Sequence, residues 1–422
     1  MPFQRDVVLF IGQLEGGGAE KHCFEVSTAL AALGVRVLVV GTQARAETLA
    51  KYAAGSVTVA LVGDQPMTPG QLPLASRGRI RRFAGRWNQL RQVIARERPF
   101  LVHSFLPYAN LIAISIRPFA RIPVLVAGHR YAGSAGVLYN LTQALEAVFC
   151  RFCDLNLANS RGVADFLEKD LHLPASRIGV AVNGVTLEQA RSCDNEREKV
   201  RRELGVAHDE IAIGMVSNLW PYKGIDEFQK AIAILRTKGL PVRAFVAGRD
   251  VGTLARFEMQ SRQLGIADCF QFLGSRADVC HLLAGFDLYV SASRGEGMSN
   301  AVLEAMAHGL AIVGSRAAGT PEMLDEGRAG RLFDFGDWRA LADHLTELVL
   351  SPEKRSVLGR MAQERARTLF NPERMVFETL RAYSAASPAY PERSEYFARK
   401  AEEARSGWGS REPVHNVTMR DV

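Results

Sequence analysis

The chain has 422 residues, 47% of them apolar and 23% charged, with a formal net charge of +7. That composition excludes a disordered or collagen-like polymer and gives length for two or three domains. No run of about 18 apolar residues occurs, and the opening MPFQRDVVLFIG lacks the layout of a secretion signal, so a soluble, cytoplasmic chain is expected. The positive charge favours an anionic partner without choosing among nucleotide, lipid surface and nucleic acid.

In chain order, residues 6–12 form a buried apolar run, followed by the turn Glu15-Gly16-Gly17-Gly18, a helix over about 19–33 and a second strand over 35–41, which together make a βαβ unit. Apolar runs at 100–105, 123–128, 154–160 and 177–184 continue a parallel sheet covered on both faces. A charged stretch at 194–204 separates them from a second series at 211–217, 242–248, 269–274, 286–293, 310–315 and 330–335. The expected fold is α/β, with two doubly wound, Rossmann-like domains at 1–190 and 191–370, a C-terminal helix at 371–387 packing back on the first domain, and a flexible tail at 388–422.

The densest constellation is Ser293-Arg-Gly-Glu296-Gly-Met-Ser-Asn-Ala-Val-Leu-Glu304, directly after an apolar strand. Gly295 and Gly297 permit a sharp turn, and Ser299 is a natural N-cap. At 100° per residue, Val302, Ala305, Met306 and Gly309 share one helix face, while Asn300, Glu304 and His308 share the other. Amides of Gly297, Met298, Ser299 and Asn300 at this helix start suit a diphosphate or sugar oxygens, and carboxylates accept hydrogen bonds from vicinal hydroxyls. A solvated acidic helix face is the alternative.

This glycine-flanked Glu-x7-Glu resembles the signature of the retaining glycosyltransferases of family 4, whose GT-B architecture sets two facing Rossmann-like domains about a cleft. The resemblance implies that Glu296 contacts the donor sugar and Glu304 the ribose. It also implies a nucleotide-sugar donor, UDP- or GDP-linked, a glycan or lipid-linked acceptor as in cell-surface polysaccharide or glycolipid synthesis, and retention at the anomeric carbon.

Lys223, in Ser217-Asn-Leu-Trp-Pro-Tyr-Lys223, stands at a strand end where an ammonium can offset departing diphosphate charge. Family members usually carry Arg where this chain has Asn218; Arg249 is a candidate substitute. The turn Gly16-Gly17-Gly18 resembles the family's first-domain glycine loop beside donor and acceptor. It is no dinucleotide fingerprint, because Lys21 stands where the third glycine belongs. Either His129 or Arg130 matches the residue touching the transferred sugar, Gly274 lies where the family contacts the base, and Glu322 belongs to a family-like turn. His103 is either a cleft residue or a hydrogen-bonded core histidine.

The absence of Asp-x-Asp gives no reason to expect a metal, and no cofactor is expected. Cysteines 23, 150, 153, 193, 269 and 280 are dispersed, and the single CxxC lacks a companion pair or His cluster, so reduced thiols are expected. Across residues 77–98, eight arginines and one glutamate surround the stripe Ile80, Phe83, Trp87, Leu90 and Ile94. That helix is either merely solvated or docked on an anionic membrane surface; no nucleic-acid reader motif accompanies it. Other nucleotide-sugar enzymes of GT-B architecture, such as an epimerase or a phosphorylase, and a non-catalytic binding protein are the competing readings.

Overall fold

The computed structural model describes residues 3–14, 17–62, 76–132, 145–146 and 148–406, and of 76–83, 189 and 194 the backbone only. Seven parallel strands form the first sheet: β1 (Arg5–Ile11), β2 (Val37–Gly41), β3 (Thr58–Leu61), β4 (Pro99–Phe105), β5 (Val124–His129), β6 (Leu155–Ala158) and β7 (Ile178–Val180), in the order β3-β2-β1-β4-β5-β6-β7. Six more form the second: β8 (Ile211–Val216), β9 (Val242–Ala247), β10 (Phe270–Gly274), β11 (Leu288–Ser291), β12 (Ala311–Ser315) and β13 (Arg331–Phe333), in the order β10-β9-β8-β11-β12-β13. Continuous runs such as Val7-Val8-Leu9-Phe10-Ile11 are buried on both faces because helices cover each side. The order reverses between β1 and β4 and again between β8 and β11, and each reversal opens a crevice at the strands' carboxyl ends.

Both doubly wound sheets agree with the sequence reading, but three features do not. The edge strand β3 was absent from it, although Val57-Thr58-Val59-Ala60-Leu61-Val62 is a short apolar run; Thr58 and Leu61 are exposed there. Residues 391–406, expected inside a flexible tail, instead form a helix, Pro391–Ser406, that packs against the helix Pro372–Ala385. Phe397, Ala401 and Ala404 enter the first domain's core from one face, a small-residue stripe hidden by the surrounding charge. Residues 407–422 lie outside the described residues.

That C-terminal helix is also tied down by charge. Arg393 Nη2 lies 3.0 Å from Asp6 Oδ1, and Arg36 Nη2 lies 2.7 Å from the same oxygen. Burial alone would raise the Asp6 pKa, but hydrogen bonds and charge from Arg36, with the charge of Arg393, hold it below the usual value.

Third, Cys193 and Cys280 are joined by a disulfide with Cα atoms 6.5 Å apart, which corrects the expectation of six reduced thiols. The two are 87 residues apart in sequence and meet because the helix Val279–Ala284 packs on the segment carrying Cys193. Cys23, Cys150, Cys153 and Cys269 are free and buried.

Phe397 has no exposed surface, so Phe397→Ala is expected to destabilise the first domain by about 3–5 kcal/mol. Chemical denaturation followed by tryptophan fluorescence measures it; an unchanged midpoint would mean that the last helix contributes nothing to the core.

Candidate active site in the interdomain cleft

Past β11 the chain turns through residues 293–299 into the helix Asn300–Ala307, whose Val302, Ala305 and Met306 are fully buried. Ser315 Oγ donates to Ser293 O at 2.6 Å, and Ser293 Oγ to Gly295 O at 3.3 Å, which fixes the turn. The glycines serve close approach. A Cβ at Gly297 would sit 2.1 Å from Asn159 Oδ1 and one at Gly295 2.3 Å from Ala132 O, both in the first domain. The Gly297 amide donates to Arg130 O at 3.2 Å, so it is already engaged rather than open to an anion. Ser299 holds the N-cap position but makes no capping bond through its side chain.

Each carboxylate of the acidic pair meets a lysine. After β8, a short 3-10 turn ends at Lys223, whose Nζ lies 2.9 Å from Glu296 Oε1 and 5.4 Å from the centroid of the Tyr222 ring. Tyr222 meets Tyr131 of the first domain edge to face at 5.8 Å. Glu304 points away from the buried stripe, and its Oε1 accepts from Lys21 Nζ, in the first turn of the helix Gly18–Ala32. That ion pair crosses the cleft.

Lys21 Nζ also lies 3.8 Å from Glu25 Oε1. Burial would lower the Lys21 pKa, but the charges of Glu304 and Glu25 and the bond to Glu304 raise it. Burial pushes the Glu25 carboxyl up to about 7; the charge of Glu304 adds to this, while Lys21 and Arg130 oppose it.

A chain of amides runs beside these pairs. Arg130 Nη2 donates to Asn183 Oδ1 at 2.6 Å, and Asn183 Nδ2 donates to Asn300 Oδ1 at 2.6 Å and to Met298 O at 2.9 Å. Asn300 Nδ2 donates to Gly18 O at 2.9 Å. Gly17 is the N-cap of the first helix, and a Cβ there would collide with Glu20 Oε2. Strand parity separates the two candidates at the end of β5. Arg130 joins this cleft network, its pKa pushed down by burial to about 10, whereas His129 points into the first domain, where Nε2 lies 3.1 Å from Asn156 Oδ1 and Nδ1 3.5 Å from Glu146 Oε1.

Four other candidates hold backbone or core. Asn218 Oδ1 accepts from the Arg249 amide at 3.0 Å, and Arg249 O accepts from Leu219 N at 3.0 Å, so this pair fastens the loops after β8 and β9 together. Gly274 closes β10, and its carbonyl accepts from Gly248 N at 2.8 Å. His103 is a core histidine: Nδ1 is 2.9 Å from Tyr383 Oη, and burial drives its pKa down to about 3. Glu322 Oε2 accepts from Arg161 N at 2.8 Å, at the start of the first-domain helix Arg161–Lys169, and so joins the two domains.

Comparison with known proteins assigns the two halves. The family described as Glycosyltransferase Family 4 matches residues 16–189, and Glycosyl transferases group 1 matches residues 196–365. D-inositol 3-phosphate glycosyltransferase of Corynebacterium jeikeium is 31% identical over 283 residues, 63% of this chain and 68% of that protein. This chain is a group 1, family 4-type glycosyltransferase. N-acetyl-alpha-D-glucosaminyl L-malate synthase of Bacillus anthracis is 29% identical over 184 residues, covering 43% of this glycosyltransferase and 48% of the relative. The fold matches Anabaena Alr3699/HepE, solved in complex with UDP and glucose, with a TM-score of 0.75 and 22% identity over 89% of this chain and 98% of that one. The fold is GT-B.

Sequence reasoning about this glycosyltransferase missed Lys21, Glu25 and Asn183. Lys21 was seen only as the residue that spoils a dinucleotide fingerprint, although a first-turn position after Gly17-Gly18 already aims it at the cleft. Asn183 carried a signal in Asn183-Gly184, just beyond β7 at the carboxyl end of the sheet. The CxxC also has more company than its sequence suggested: ligand atoms of His129, Glu146 and Cys150 lie within 4.8 Å of one another, all buried. Glu146 Oε1 accepts from Asn110 Nδ2 at 2.5 Å and His129 faces Asn156, so these groups satisfy one another in a closed polar network.

Because the Glu25 pKa is raised from 4.5 to about 7 in the folded protein, the unfolded chain releases this proton first, and stability falls as pH rises from about 4.5 to 7. Glu25→Gln is expected to flatten that part of the melting-temperature profile. Parallel wild-type and variant profiles between about pH 4.5 and 7 would contradict the assignment.

Proposed function

We propose that this glycosyltransferase moves a sugar from a nucleotide-sugar donor, UDP- or GDP-linked, to a glycan or lipid-linked acceptor, with retention at the anomeric carbon and without a catalytic metal. The observation that carries the reading is the convergence of Lys223–Glu296 and Lys21–Glu304 on one cleft between the two sheets. The Anabaena structure, which holds UDP and glucose, supports a nucleotide donor, and relatives named for transfer to D-inositol 3-phosphate and for L-malate product support a hydroxyl acceptor.

In this reading the second domain binds the donor and the first the acceptor. Glu304 exchanges Lys21 for the ribose hydroxyls, and Glu296 takes hydroxyls of the sugar. Lys223, held beside Glu296, neutralises charge on the diphosphate as the bond to the anomeric carbon breaks. Arg130 reaches the cleft from the opposite wall and offsets the cation missing at Asn218. The acceptor hydroxyl approaches from the leaving-group side and passes its proton to the departing diphosphate. The arginines of residues 77–98 hold the first domain near an anionic membrane, where a lipid-linked acceptor resides. No helix among the described residues is long and apolar enough to cross a membrane.

Transfer of label from a panel of UDP- and GDP-sugars to glycan and lipid-linked acceptors tests the activity. Donor hydrolysis or epimerisation without transfer would overturn it. Within that assay, Glu304→Ala is expected to weaken nucleotide binding by about tenfold or more, as expected for loss of a charged hydrogen-bonding group. Glu296→Ala is expected to lower kcat by about 100-fold with nucleotide affinity nearly kept, and Lys223→Ala to lower kcat by about 100-fold and to weaken nucleotide binding as well. Identical kinetic effects of all three would dissolve the division of roles.

A further inference from the structure

The first domain turns an apolar stripe outward. Leu145 (45% exposed), Val148 (58%), Phe149 (42%) and Phe152 (65%) stand at positions i, i+3, i+4 and i+7 of a helical segment, the spacing that a globular helix ordinarily buries. Here the buried side is the opposite one, carrying Glu146, Cys150 and Cys153. Phe119, 64% exposed, extends the patch from the helix Leu106–Ala120. Arg117 Nη1 of that helix donates to Phe152 O at 2.8 Å, and the Trp87 ring meets Phe119 at 5.5 Å. The apolar surface is therefore continuous with the basic helix Ser76–Glu97.

Arginines rim the patch. Arg121 and Arg151 are exposed beside it, and Arg177 Nη1 donates to Arg151 O at 2.5 Å. Arg117 is offset by Asp154 at 2.7 Å. A second copy of the chain docking face to face would bring these arginines against their own equivalents, which like-charge repulsion opposes. An anionic bilayer accepts both halves of the surface, the rings at the acyl boundary and the guanidinium groups at lipid phosphates.

We propose that this face, formed by Leu145, Val148, Phe149 and Phe152 with Phe119, enters the boundary of an anionic phospholipid bilayer while Arg121 and Arg151 bind headgroup phosphates. The inference rests on the lipid-linked acceptor reading and gives it a specific contact surface. It assigns the apolar anchoring to side chains outside the basic helix, so charge alone does not account for attachment.

Sedimentation of the full chain with phosphatidylcholine vesicles and with vesicles containing phosphatidylglycerol tests it. Wild type is expected to pellet with the anionic vesicles, and Phe149→Ser/Phe152→Ser to lose about tenfold or more in partitioning, with an unchanged melting temperature and unchanged transfer to a water-soluble acceptor. Arg121→Glu/Arg151→Glu is expected to lose binding to the anionic vesicles as well. Absence of wild-type binding to either vesicle, or full binding by the Phe variant, would overturn the proposal. So would loss of a dimer, seen by analytical ultracentrifugation, as the sole effect of the Phe variant. Vesicle binding that depends on Phe149 and Phe152 in a chain that transfers no sugar would uphold the surface and sink the transferase reading alone.

Discussion

Asn183 does for this cleft what no charged residue could do alone. Its amide accepts from Arg130 and donates to Met298 O and Asn300 Oδ1, while Asn300 in turn reaches Gly18. One short neutral side chain thus sets the glycine loop of the second domain against the strand ends of the first. A carboxylate at this position could not donate to Met298 O and Asn300 Oδ1, and an ammonium could not accept from Arg130. The Lys21–Glu304 pair then lies across the seam those amides define.

The strength of this seam matters as much as its geometry. Neutral hydrogen bonds contribute about 0.5–1.5 kcal/mol each, and a partly exposed ion pair about 0–1 kcal/mol. The handful of contacts here is comparable to the roughly 2.7 kcal/mol that a ligand supplies at a hundred times its Kd. In the proposed reading, a bound donor therefore replaces Lys21 on Glu304 without unfolding either domain. The domains themselves depend on much larger buried cores, each sheet being covered on both faces.

Much of this was legible in the sequence, for identifiable reasons. Apolar runs between turn signals announce buried parallel strands, and Glu296 and Glu304 are readable because a strand, two glycines and a helical period surround them. Side-chain direction at the end of β5 was not readable, since either His129 or Arg130 fitted the motif until strand parity was fixed. Lys21 and Asn183 stand where local sequence already places them at the cleft, but their partners lie far along the chain, and local spacing carries no trace of the Cys193–Cys280 pair, whose members are 87 residues apart. The last helix was hidden for another reason: its core face uses Phe397, Ala401 and Ala404, too small a stripe to stand out among arginines and glutamates.

In the proposed reaction Glu304 has two alternative partners, Lys21 across the cleft and the ribose of a bound donor. A crystal structure of the chain with UDP or GDP tests this most directly. The account predicts ribose hydroxyls on Glu304, Lys21 released from it, and Lys223 next to the diphosphate. A nucleotide bound elsewhere, or one bound in the cleft with Lys21 and Glu304 still paired, would contradict it.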